Sequence, residues 1–254
     1  KIMIMGQGFS FQRVLQFIKR DLVLLRSTFA TGFFVAIILI FLLCVFNMIW
    51  DKQLDLNEFY GIFGLIYFPM GILFTFSLFR EFSNTKTSAL YLALPISTSE
   101  RLVAKWLTVT LVYTLVFSVL ALLAGTVAMA AGIVFFGANF SLLTLFSESY
   151  LTIIGTYIFV QPAAMAGALS FSRNKIGKSL LAAGIVVLGL FLFNFLLYAL
   201  FNHRLGVFDE DGLGSMAFNK AGMDFSMVGQ WFYGFICGPL MLVVAYFKMR
   251  EKEV

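Results

Sequence analysis

Apolar residues run along this chain in long unbroken blocks, separated by shorter polar segments. Six blocks, Phe29–Trp50, Phe59–Phe79, Leu107–Val134, Leu151–Phe171, Leu180–Phe201 and Val228–Phe247, contain no Asp, Glu, Lys or Arg. A hydrocarbon core about 30 Å thick is crossed by about 20 residues of helix, and every block reaches that length. Backbone in hydrocarbon must satisfy its own hydrogen bonds, which at these lengths means helix. The pattern predicts an all-α polytopic membrane protein with six transmembrane helices. The first block is too long for a signal-peptide core and lacks a small-residue cleavage site, so it reads as a retained span.

Two polar segments carry a pattern of their own. In 10–26, Phe11, Val14, Leu15, Ile18, Leu22 and Leu25 recur at the i, i+3, i+4, i+7 spacing of one helical face, with Gln12, Arg13, Gln16, Lys19 and Arg20 mostly opposite. Ser10 supplies an N-cap. A basic amphipathic helix beside a span is predicted to lie in the membrane interface. Residues 1–28 thus form an N-terminal cytoplasmic segment, and 29–254 a six-helix domain. In the loop 80–106, Lys86–Ala93 can form a short helix that stops before Pro95. Ser97-Thr-Ser-Glu100 is a capping box that restarts a helix running into the third span. Leu90, Leu92, Leu94 and Tyr91 are too apolar for a loop that only meets water. They either pack under the chain's own helices or form a docking surface, with Lys86, Glu100 and Arg101 as its polar rim.

Composition agrees with the pattern: 254 residues, 61% hydrophobic, 12% charged, 32 of them Phe. A soluble domain carries about 25% charged residues. Charge also divides by side. The N-terminal segment, loop 80–106, turn 172–179 and the tail after Phe247 hold 15 Lys and Arg against 5 acids, whereas loops 51–58, 135–150 and 202–227 hold 3 against 8. Basic residues near spans stay inside, which predicts cytoplasmic termini and an acidic extracellular loop 202–227; the chain is expected in the cell's inner (cytoplasmic) membrane.

Candidate chemistry is sparse. Ser172-Arg-Asn-Lys-Ile-Gly-Lys-Ser179 imitates the end of a phosphate-binding loop, but its first place is Ser and spans flank it where a strand is required. It reads as a cytoplasmic turn. Cys44 and Cys237 lie in apolar blocks, and His203 is the single histidine, so no metal or catalytic constellation is predicted. The deepest polar residues are Gln161 beside Pro162, Asn194, and Asn47 near an outer end. Each amide needs a partner in hydrocarbon, from another helix or from a lined pathway. Pro69 and Pro162 are candidate kinks. The small-residue runs Ala121–Gly132 and Ala163–Ala168, and the pair Gly234 and Gly238, allow close approach within a bundle or between two copies.

Six spans with cytoplasmic termini, an amphipathic helix before span one, and a short helix ending in Leu94-Pro95-Ile96-Ser97 resemble the ABC-2 family of ABC-transporter permeases. The most similar stretch holds Lys86-Thr87, Leu90, Leu94-Pro95-Ile96-Ser97, Glu100-Arg101 and Lys105. The resemblance implies that this loop carries a coupling helix seated on a separate ATPase subunit, with Lys86, Thr87, Leu90, Tyr91, Leu94, Pro95, Ser97, Glu100 and Arg101 as coupling residues. It further implies an exporter working as a homo- or heterodimer. ATP and Mg would bind on the partner, with no cofactor, catalytic residue or nucleic-acid site on this chain. Asn47, Gln161 and Asn194 are the pathway candidates, and uncharged spans favour a hydrophobic or amphipathic cargo. In the family the segment between spans five and six often re-enters the membrane; here 202–227, with Asp209-Glu210-Asp211, reads as polar and extracellular. The alternatives are a membrane anchor or immunity protein that uses the same loop, and an intramembrane enzyme, against which a lone His203 argues.

Overall fold

A computed structural model of the chain describes residues 9–83, 96–145, 147–171, 174–201 and 236–252. Every regular element among them is helical. Helix α1 (Phe11–Leu24) leads, through Leu25 alone, into α2 (Arg26–Asp51), which stops where Lys52 turns left-handed at φ 51°. Helix α3 (Leu56–Leu78) opens on a capping box in which Glu58 accepts from the Asp55 amide at 2.9 Å. A 3₁₀ turn follows at Arg80–Ser83. Ser97 caps α4 (Thr98–Leu107) through the predicted box with Glu100. A π-helical turn, Thr108–Val112, joins α4 without a break to α5 (Tyr113–Phe136). Gly137, at φ 64°, ends it; a side chain there would strain against this left-handed backbone. Ser147 caps α6 (Glu148–Ser170), α7 spans Lys175–Phe201, and α8 covers residues 236–251.

Four helical stretches, Arg26–Asp51, Leu56–Leu78, Thr98–Phe136 and Glu148–Ser170, are long and apolar enough among the described residues to cross a membrane. The fifth predicted block is helical as α7, and the described part of the sixth lies in α8. Residues 228–235 and loop 202–227 lie outside the described residues. Thr98–Phe136 has 39 residues and, at 1.5 Å per residue, is about 58 Å long. That is nearly twice the hydrocarbon thickness, so the charged α4 end projects beyond it. Pro69 and Pro162 both sit inside continuous helices.

Two buried clusters fill the bundle. One holds Ile40, Cys44 and Met48 of α2, Phe59, Phe63 and Tyr67 of α3, Phe117 and Ala121 of α5, and Leu54, Ala138 and Leu143 from the adjoining loops. Here the Asn139 amide donates to Lys52 O at 2.9 Å and Ser141 Oγ to Leu54 O at 2.5 Å, while Tyr60 OH donates to Thr144 O. Loops 51–58 and 135–150 therefore meet at one end. The other cluster gathers Val14, Phe17 and Ile18 of α1, Phe79 and Phe82, Leu102, Leu169, and Ala245 and Met249 of α8. The first helix, the described residues of loop 80–106 and the last helix thus share the opposite end, in the grouping their charges predict.

The small-residue runs build this bundle from within. A Cβ on Gly125 would lie 2.6 Å from Phe59, and one on Gly132 would lie 2.5 Å from Met48 Sδ. Gly167 meets Ser179 of α7, and Gly238 faces Phe159 of α6 at 3.4 Å. Gly234 lies outside the described residues.

Candidate functional site

Charge concentrates where α1, the end of α3 and the start of α4 meet. Glu100, the acid of the α4 capping box, is completely buried. It accepts from the Ser10 amide at 2.7 Å, the Ser97 amide at 3.0 Å, and the Arg13 guanidinium at 2.7 Å. One carboxylate thereby fixes the start of α1 to the start of α4. Burial alone would push its pKa up, but these hydrogen bonds and the Arg13 charge outweigh burial and hold it down to about 2.

One and a half turns further on, Lys105 is also completely buried. Its Nζ donates to Asp21 Oδ2 at 3.1 Å and to the Leu78 carbonyl at 2.8 Å, and stands 5.2 Å from the Phe79 ring centre. Burial pushes the ammonium pKa down, against the pull of Asp21 and Glu81. Arg20 completes the cluster, donating to Asp21 at 3.1 Å and to Glu81 at 3.0 Å. Lys105 therefore ties α4 at once to α1 and to the last turn of α3. Removing one partner of such a buried pair costs about 3–5 kcal/mol.

A second polar feature rises from this base through the uncharged interior. Gln161 Nε2 donates to Thr75 Oγ1 at 3.4 Å, and Thr75 Oγ1 to Gly71 O at 2.8 Å. Tyr157 OH donates to Val109 O at 3.0 Å. That acceptor is made available by the π turn, because the Tyr113 amide reaches back to Thr108 O and Thr110 O instead of Val109 O. Tyr113 OH donates to Tyr67 O at 2.7 Å, Tyr67 OH pairs with Thr114 Oγ1 at 2.6 Å, and Tyr150 OH donates to Ser118 Oγ at 2.8 Å. The Tyr67 and Tyr113 rings stack 5.2 Å apart, with Tyr157 4.7 Å from Tyr67. The result is a column of hydroxyls and aromatic rings along α3, α5 and α6.

The sequence-predicted residues divide accordingly. Lys86, Thr87, Leu90, Tyr91, Leu94 and Pro95 lie outside the described residues. Ser97 caps α4, accepting from the Glu100 amide at 3.3 Å. Glu100 and Arg101 do not form a solvent-facing rim. Glu100 is enclosed as above, and Arg101 is 2% exposed, donating to Ile96 O at 3.4 Å. Burial wins because the chain supplies its own counter-charge for Glu100.

Helix α1 also turns differently from its apolar strip. Val14, Phe17, Ile18 and Asp21 pack inward, while Phe11 and Leu15 are more than half exposed. The pull of Asp21 toward Lys105 rotates the buried face. Gln161 is buried on Thr75. Asn47 sits at the far end of α2, where its side-chain amide, turned so that the nitrogen faces them, donates to Gln53 O and Glu58 Oε2, both at 3.2 Å. These two amides are not brought together, and the Asn194 side chain lies outside the described residues. Gly177, Lys178 and Ser179 fall in the first turns of α7, preceded by α6 and not by a strand.

Comparisons with protein-family profiles, curated proteins and solved structures find no match to this chain.

Sequence reasoning overlooked the tyrosines, although their spacing carried a signal. Tyr60 and Tyr67, and likewise Tyr150 and Tyr157, stand seven apart, which places each pair on one helical face. Asp21, the one acid in the first 28 residues, was the matching clue to Lys105.

Proposed function

We propose that this chain is the permease subunit of an ATP-driven, ABC-2 type exporter. In this reading it crosses the inner membrane six times, with α1 at the interface and both termini cytoplasmic. It pairs with a second permease copy and with a separate ATPase that binds ATP and Mg. The exposed Phe11 and Leu15 beside Lys19 suit an interfacial α1. The positive excess on the segments that meet at the α1 end suits a cytoplasmic face there.

One observation carries the reading. The segment after Pro95 is a capped helix that continues unbroken into a crossing, and its base is fastened to α1 by two ion pairs and to α3 by the Lys105 hydrogen bond to the Leu78 carbonyl. Closure of the ATPases would push on residues 84–95. A push there would move α4, α5 and α1 as one block, because Glu100 and Lys105 leave no slack between them. The crossings offer hydroxyls and rings without charge, in keeping with a hydrophobic or amphipathic cargo.

A photo-crosslinking residue at Tyr91 in native membranes tests this. The expected product is an adduct with an ATPase, and the purified complex should show transport-linked ATP turnover that falls on Tyr91→Ala. Capture of lipid and this same polypeptide alone would overturn the reading. Capture of a partner without ATP-linked transport would assign the anchor or immunity role instead.

A further inference from the structure

We propose that the groove between the end of α3 and the start of α7 binds one anionic phospholipid, with its phosphate on Arg80. The groove has a volume of about 660 Å³ and is lined by Leu73, Phe76, Ser77 and Arg80 on one side and Asn174, Ile176 and Gly177 on the other. Leu73, Phe76 and Ser77 of α3 fall at i, i+3 and i+4, a single face, and Arg80 follows in the 3₁₀ turn just past the helix end. Along that face the chemistry changes from aliphatic and aromatic at membrane depth, to a hydroxyl, to a guanidinium beyond the helix end. That order matches the order of groups in a phospholipid, from acyl chain through ester to phosphate. The volume is in the range of ordinary ligand sites, roughly 300–1,000 Å³.

Charge selects the headgroup. Arg13, Arg20 and Lys105, at the same end of the bundle, are committed to Glu100, Glu81 and Asp21. Arg80 is exposed and makes no ion pair among the described residues. It therefore presents its full charge to the groove, and a guanidinium takes a phosphate through two parallel hydrogen bonds. The facing wall begins at Asn174, where the left-handed φ of 52° starts α7 and leaves first-turn amide protons turned toward the same end. A zwitterionic lipid brings its own cation and gains less from Arg80. A free phosphate ion uses Arg80 but leaves Leu73, Phe76 and Ile176 unused. This inference needs only a membrane-embedded chain and does not depend on the exporter reading.

Native mass spectrometry of the full chain in detergent, titrated with dioleoyl phosphatidylglycerol, tests the site. One tight adduct is expected, with weaker binding of the matching phosphatidylcholine. Arg80→Ala should weaken that adduct about fivefold, the factor that about 1 kcal/mol per basic residue at a membrane surface represents. Arg80→Lys should restore part of the loss. Leu73→Trp fills the apolar end and should weaken the adduct with Arg80 intact, and Lys52→Gln, at the opposite end of the bundle, should leave it unchanged. Thermal unfolding in lipid-free detergent establishes that each variant is folded. Equal binding of phosphatidylcholine, or an adduct indifferent to both Arg80→Ala and Leu73→Trp, overturns the proposal. Full displacement by inorganic phosphate, with no effect of Leu73→Trp, overturns it in favour of a free-anion site.

Discussion

The two ends of this bundle are held together by different physics. Toward loops 51–58 and 135–150, helices meet through shape: Phe59 lies on Gly125, Met48 on Gly132, and Phe63 against Tyr67 with ring centres 5.1 Å apart. Lipid tails are as apolar as these side chains, so burial from water supplies little drive and close packing supplies most of it. Toward α1 and α4 the helices meet through charge, with Glu100 and Lys105 each joining separate elements. Packing tolerates small readjustments. A buried carboxylate with three donors around it does not, which makes the charged end the more exacting of the two junctions.

The largest expected effect breaks the charged end. Lys105→Met leaves Asp21 buried with only Arg20 beside it, and should lower stability against denaturant by about 3–5 kcal/mol. Combining it with Asp21→Leu removes the stranded charge and should recover most of that loss. A double variant as unstable as the single one would show that Lys105 acts through its carbonyl and aromatic contacts instead.

Next in size is the acid response of the same end. The Glu100 pKa lies below the ordinary value of 4.5, at about 2. Its contribution is therefore fully present above pH 4.5 and is lost as pH falls from 4.5 toward 2. Allowing for screening at Arg13, which is a quarter exposed, the loss is about 2 kcal/mol. Unfolding followed across that window should show a falling limb that Glu100→Gln flattens, because the amide no longer titrates.

Smallest are the changes at the packed end. Gly125→Ala forces a methyl onto Phe59 and Leu143 and should cost about 1–3 kcal/mol. Gly61→Ala on α3 meets nothing within 4 Å and should be neutral or stabilise by up to about 1 kcal/mol. If both substitutions behave alike, close packing is not what holds this end, and the contrast between the ends fails.

Much of this organisation was legible in the sequence. The apolar blocks mark helices because length and freedom from charge are one-dimensional properties, and the capping box at Ser97 is local; the equally local box at Asp55 was passed over. Charge counting grouped the loops because it needs only their order along the chain. What escaped was every relation that depends on rotation about a helix axis or on distant pairing. Periodicity identified Val14 and Ile18 as apolar, but that Asp21 shares their buried face follows from Lys105, 84 positions away. Glu100 and Arg101 seemed to belong to water because charged residues in loops usually do. Their enclosure follows from α1 folding back over α4. The tyrosine column was hidden by treating only charges and amides as polar in the membrane, although a phenol also needs a hydrogen-bond partner there.

The wide turn at Thr108–Val112 has a consequence for the angular phase of the helix it interrupts. Lys105 and Tyr113 both point inward, yet eight positions of ordinary helix at about 100° each would leave them about 80° out of alignment. One extra residue looped into the turn reduces the effective separation to seven, and the mismatch to about 20°. The wide turn therefore works as a phase corrector. It lets one continuous rod show its ionic side to α1 at the bottom and its phenolic side to α3 and α6 above.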